Sequence, residues 1–139
     1  MKDAFGGILN IFIISIFLVI VSGILALTVN YTKAFKMKNS VISTIEQYEG
    51  HGCFKGGIDT SCKSKIHSEA VRLGYDAVKI KCASGFTAID DTFCYRYNDK
   101  EKNYSIITQV NIEIPIINQI MGLSFFQVHG DTRTIGASY

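Results

Sequence analysis

The stretch from Gly7 to Val29, GILNIFIISIFLVIVSGILALTV, is 23 residues long and carries no charged side chain. At 1.5 Å per residue it makes a helix of roughly 34 Å, enough to cross a hydrocarbon core of about 30 Å. A lipid environment offers the backbone no hydrogen-bond partners, so each amide there must bond within the helix, and a proline-free apolar run meets that demand. We therefore expect residues 1–6 to form a short cytoplasmic leader and residues 7–29 a transmembrane helix. A cleaved secretory signal is the competing reading. It fits less well, because the apolar stretch exceeds the roughly 7–15 residues of a signal core and only Lys2 precedes it. Asn10, Ser15, Ser22 and Gly23 interrupt the run, and small or polar residues are what membrane helices use where they pack on one another. They are the candidate helix-packing positions.

With the span subtracted, the 139-residue chain has room for one compact domain. Its cysteines, Cys53, Cys62, Cys82 and Cys94, are separated by 9, 20 and 12 residues. Structural zinc sites use close pairs such as CxxC, which are missing here. Four cysteines in so small a domain read instead as a disulfide framework, which persists in an oxidising compartment. Three connectivities are open; the favoured one has Cys53–Cys62 closing the loop and Cys82–Cys94 tying neighbouring strands. Lys33, Lys36 and Lys38 pull the other way on sidedness, since positive flanks tend to stay cytoplasmic. The cysteines decide for an extracytoplasmic domain.

Residues 30–50 continue as a helical stalk. Tyr31 to Glu49 lacks proline and glycine, and Phe35, Val41, Ile42, Ile45 and Tyr48 recur at helical spacing. Gly50 and Gly52 supply the stop. A hinge near Asn30 dividing this helix in two is the alternative. Residues 51–139 form the domain: a turn-rich loop FKGGIDTS between the first two cysteines, then a short helix over residues 64–73 ended by Gly74. Strands are expected at Ala77–Cys82, Thr92–Asn98, Asn103–Ile114 and Leu123–His129, the last running on to Ile135. Alternation is clearest in the third, where Tyr104, Ile106, Thr108, Val110, Ile112 and Ile114 share one side. Pro115 ends that strand, and the loop to Gly122 is apolar. The fold class is α+β, a long N-terminal helix packed on a small antiparallel four-stranded sheet whose other face is wet.

No catalytic pattern accompanies this fold. His51, His67 and His129 stand alone in different elements, and there is no HExxH, GxSxG, Walker loop or GxGxxG. Gly56 and Gly57 are explained by turn geometry, and Asp90-Asp91 by a hairpin. Tyr95, Tyr97 and Tyr104 could make an aromatic binding face, but their alternation makes them cross-strand partners first. A net charge of +2 with scattered lysines gives no nucleic-acid stripe. No enzyme activity, metal or cofactor is expected.

The leader, the apolar helix running into a stalk and the small sheet domain together resemble bacterial pilins and pseudopilins. The chain is most similar to the TadE/TadF-like minor pilin proteins of tight-adherence pilus systems in Gram-positive bacteria. The residues that carry the likeness are Asn30-Tyr31-Thr32-Lys33-Ala34-Phe35-Lys36-Met37-Lys38-Asn39 and Ile45-Glu46-Gln47-Tyr48-Glu49-Gly50. The closing pattern adds Ile114-Pro115-Ile116-Ile117 and Val128-His129-Gly130-Asp131-Thr132-Arg133-Thr134-Ile135. The resemblance implies a minor pilin or accessory subunit of an envelope-spanning pilus or secretion system, partnered by other pilin-like subunits and the assembly machinery. It also implies cleavage by a membrane peptidase after a glycine ahead of the span, for which Gly6 and Gly7 are the candidates. Such pilins usually carry glutamate at the fifth position after the cut; here Ile11 or Phe12 stands there, which suits an accessory role. The competing function is a membrane-tethered extracytoplasmic binding or adhesion module acting outside any pilus.

Overall fold

The computed structural model describes residues 2–54, 60–75, 80–111 and 125–135, with side chains from Gly6 onward. Its first element, α1, is one helix over Lys2–Gln47, 46 residues long. No hinge divides it at Asn30. Thr28 and Thr32 donate back to the carbonyls of Ile24 and Thr28, at 2.9 and 2.8 Å, so their hydroxyls are satisfied within the helix. The helix ends in a Schellman turn: Gly50 N–H reaches Ile45 O at 2.9 Å and Glu49 N–H reaches Glu46 O at 3.4 Å. The left-handed stretch in that turn begins at Glu49, at φ 49°, and continues through Gly50, the expected stop, at φ 79°.

The second helix, α2, spans Ser61–Leu73 and closes on Gly74, whose φ of 58° suits a residue without Cβ. Four strands follow: β1 Thr87–Ile89, β2 Phe93–Asn98, β3 Asn103–Asn111 and β4 Phe125–Asp131. They form one antiparallel sheet in the order β1-β2-β3-β4, a meander. The fold is therefore the expected α+β arrangement, with one strand moved. Residues 80–82 of the strand expected at Ala77–Cys82 are irregular, and 77–79 lie outside the described residues. The fourth strand is instead β1, joined to β2 through Asp90 and Asp91. Both have φ near +50° (47° and 52°), and Thr92 N–H bonds Ile89 O at 2.9 Å, which makes the tight hairpin turn. The expected ends of the third strand (112–114) and the start of the fourth (123–124) lie outside the described residues, as do Pro115 and the loop to Gly122 and residues 55–59 of the turn-rich loop.

The core forms where α1 crosses the sheet. Met37, Val41 and Ile45 are fully buried against Ile89, Phe93, Tyr104 and Ile106, with Ile66 and Ala70 of α2 closing the side. Ala34 packs separately on Val110 and Val128. The buried line is thus Ala34, Met37, Val41, Ile45. Phe35, expected on it, is 43% exposed, because a position one residue off the line turns about 100° away from the sheet. Thr108 Oγ1 donates to Ala34 O at 3.1 Å, tying the middle of the sheet to the helix. At the far end Glu46 Oε1 accepts from Arg133 N–H at 2.8 Å, and Thr132 exchanges two bonds with the Tyr104 backbone.

The reverse face of the sheet is not simply wet. Ile107 and Cys94 are fully buried there with Ile80, and Cys82, Phe86 and Ala88 pack around them. The irregular segment at 80–82 crosses this face: Lys81 N–H donates to Gln109 Oε1 at 3.0 Å, and Lys81 O accepts from Gln127 Nε2 at 2.8 Å. Covering the face without pairing in the ladder is what removes those residues from the strand count.

Gly130 permits the close approach of α1 to β4. A Cβ there would meet Ile42 Cδ1 at 2.7 Å and Lys38 Cδ at 2.8 Å. Those atoms are ends of flexible side chains, so Gly130→Ala should cost little, whereas branched Gly130→Val should force the helix outward. We expect Gly130→Val to lower stability by about 1–3 kcal/mol, read as a lower thermal midpoint in detergent. A valine variant as stable as the alanine one would show that the helix does not approach here.

Candidate functional site

Among the described residues nothing has the form of a catalytic constellation. His51, His67 and His129 are all exposed and lie on a turn, on α2 and on β4 respectively. Among the described residues no three His, Cys, Asp or Glu side chains are placed to share a metal ion. A shallow hollow lined by Lys63, His67, Asp90 and Thr92 has room for about one water, and Lys63 reaches Asp90 across its edge at 3.7 Å. Asp90 and Asp91 are the turn residues of the β1–β2 hairpin. The tyrosines of the sheet are consumed in packing: Phe54 stacks on Tyr95 and Tyr104 at 4.3 and 4.5 Å, and Tyr97 tilts against Tyr104 at 4.9 Å.

What stands out is the first half of α1. From Gly6 to Ile20 every residue is exposed, and large apolar side chains point outward all round, among them Ile8, Phe12, Phe17 and Leu18. The first fully buried residue is Ala34. This is the one described helix long and apolar enough to cross a membrane. Its face composition differs from that of an ordinary amphipathic helix, whose exposed side is polar. The candidate packing positions do not share one line. Ser15 and Ser22 are seven residues apart and fall on the same side, with Ser15 Oγ donating to Ile11 O at 2.9 Å. Asn10 sits on another side. Gly23 is half-buried and lies eleven residues before Ala34, about three turns, hence on the line that meets the domain. Gly6 and Gly7 are helical and exposed, with open space where a Cβ would stand.

Two disulfides staple the domain. Cys53–Cys62 joins the end of α1 to the start of α2, with Cα atoms 4.8 Å apart. Cys82–Cys94 joins the irregular covering segment to β2, with Cα atoms 5.7 Å apart, so it fastens the reverse-face cover rather than two paired strands. Each closes a short loop, of sequence separation 9 and 12. Such bridges persist in oxidising compartments. We expect Cys82→Ala/Cys94→Ala to lose about 2–4 kcal/mol of stability, and none of the four cysteines of the unreduced protein to react with maleimide.

Tyr75 is a structural residue that sequence reading missed. The Schellman turn closing α2 places it directly after Gly74, with its N–H on Ala70 O at 2.9 Å. Its hydroxyl donates to Gln109 O at 2.7 Å and accepts from Gln109 N–H at 3.0 Å. Those are the groups of β3 left open beyond the last described β2 pair, Cys94 with Ile107. The phenol thus stands in for a strand partner. No periodicity signals such a role, because it depends on where a neighbouring strand stops. Burial pushes the Tyr75 pKa up from 10.0 to about 12, with the Gln109 N–H pulling weakly the other way. The folded state therefore holds this proton to higher pH than the unfolded chain does. Its stabilisation is complete below about pH 10 and is lost as pH rises towards 12. At neutral pH, Tyr75→Phe should cost about 1–3 kcal/mol through the two orphaned backbone groups. Between pH 9.5 and 11.5 (roughly the window of the shift) the wild type should lose more stability than the variant, as measured by denaturant titration.

Comparison with known proteins finds no matching family model, no matching curated protein and no matching solved structure.

Proposed function

We propose that this chain is a non-enzymatic, membrane-anchored subunit of the minor pilin or pseudopilin kind, held in the bilayer by the first half of α1 and presenting its domain outside the cytoplasm. The observation that carries the reading is α1 itself. A single unbroken helix is apolar and uncovered over its first half, and over its second half is the spine of a four-stranded antiparallel domain. A helix bare on all sides is stable in lipid or in a bundle of like helices, and a filament built from such subunits offers both environments in turn. The disulfides support an extracytoplasmic domain. The assignment to the tight-adherence type rests on the sequence resemblance.

The reading separates from a lone tethered module by what the span must do. Replacing residues 7–29 with an unrelated apolar span should keep the protein in the membrane but abolish its co-purification with pilin-like partners. A lone module would keep all its activity. On the same reading, the mature protein should have a mass corresponding to cleavage after Gly6 or Gly7. External protease on intact cells should remove the domain; protection in cells with digestion in a lysate would place it inside and overturn the proposal.

A further inference from the structure

The tertiary structure brings together, at the end of the domain facing the bare half of α1, a set of aromatic and basic side chains. Thr108 bonds Ala34, whereas Tyr104 bonds Thr132 and Arg133 bonds Glu46, so β3 runs from the far end of α1 back towards the span. The membrane-side end of the sheet is therefore Val110 and Asn111, paired with Phe126 and Phe125. Phe126 and Tyr75 pack round Ala34 at this end. On α1 itself Tyr31 and Phe35 are 47% and 43% exposed, beside this aromatic end and just beyond the apolar run. Aromatic residues with one wet side are characteristic of the headgroup layer.

Among the described residues the charges on α1 at this end are of one sign. Lys33, Lys36 and Lys38 follow the span, and α1 has no acidic residue between Asp3 and Glu46. At 100° per residue the three lysines surround the helix rather than lining one side. Among the described residues none of them forms an ion pair. The Lys33 ammonium lies 3.7 Å from where a Cβ of Gly74 would stand, at the C-terminus of α2. Lys38 lies over the Phe35 ring at 4.3 Å, its stem against Gly130. Lys36 is exposed. The opposite end of the sheet carries mixed charge instead, Asp99-Lys100-Glu101-Lys102.

Helix side chains lean towards the N-terminus, here towards the bilayer. Counting from Val29, Tyr31 is about 3 Å and Lys36 about 10 Å beyond the span. The headgroup layer on each side is roughly 5–8 Å deep, and a lysine stem reaches back several ångströms to it. We propose that Tyr31, Phe35, Lys33, Lys36 and Lys38 form a collar that seats in the headgroup layer and binds the phosphates of anionic phospholipids, fixing how deep α1 sits and holding the domain against the membrane. The collar rests on the reading of α1 as a membrane anchor, and holds for either sidedness of the domain.

The chain has no tryptophan, so full-length Tyr31→Trp and Phe35→Trp each carry a single reporter. Both sites are half exposed, so folding is not at stake. The variants are reconstituted in vesicles of phosphatidylcholine with or without phosphatidylglycerol, and retention is checked by alkaline carbonate extraction. We expect both reporters to be quenched more by lipid brominated near the glycerol end of the chain than near its methyl end. Spin-labelled phosphatidylglycerol should be preferred over spin-labelled phosphatidylcholine by at least about fivefold, the equivalent of one basic residue at an anionic surface. The triple variant Lys33→Gln/Lys36→Gln/Lys38→Gln should bring that ratio near unity, while Lys100→Gln/Lys102→Gln at the far hairpin leaves it unchanged. Retained protein with water-exposed reporters, or with no lysine-dependent lipid preference, overturns the collar and leaves the anchor standing. Protein released by carbonate overturns both.

Discussion

The structure depends on the packing of one helical line, Ala34, Met37, Val41 and Ile45, onto one face of the sheet. These four residues are fully buried, and every other stabilising feature refers to them. The sheet is only four strands wide, with a three-residue edge strand, and has no stable existence without a cover. The helix gains its cover from the same contact. Two specific bonds set the register of that contact, Thr108 to Ala34 at one end and Arg133 to Glu46 at the other. Between them Gly130 lets β4 lie close under Lys38 and Ile42.

A small domain of this kind has little core, and the rest of its stability comes from devices that hold irregular chain in place. Cys53–Cys62 fixes the entry to α2 beside the end of α1 and brings Phe54 onto the tyrosines of the sheet. Cys82–Cys94 fastens the covering segment across the reverse face, where Ile107 needs it. Tyr75 completes β3 where β2 has ended.

Function follows from the same helix seen from its other half. On the proposed function, an element that is a core spine at one end and a bare apolar rod at the other couples a folded domain rigidly to a membrane or to neighbouring rods. No joint separates the two halves, so domain position is set by where the rod sits. In the proposed collar, the aromatic and lysine residues at the junction lie at the level where such positioning is decided.

Much of this was legible in the chain, for physical reasons that can be named. The uncharged run at 7–29 specifies a long apolar helix, exposed throughout from Gly6 to Ile20, because length and polarity alone decide whether a segment can cross lipid. The alternation in Tyr104, Ile106, Thr108 and Val110 specifies β3, since a period of two has one structural meaning. Residues 80–82 show the limit of that rule: Ile80 and Cys82 alternate, yet they cover the sheet instead of joining it. The helical line runs through Val41 and Ile45 as expected, but its membrane-side end falls on Ala34 and Met37 rather than Phe35, because several apolar positions offer themselves and only the shape of the sheet selects among them. Tyr75 and Gly130 gave no local signal at all. Their roles arise where a strand ends and where two elements touch, and contacts between residues distant in the chain are decided by the fold alone.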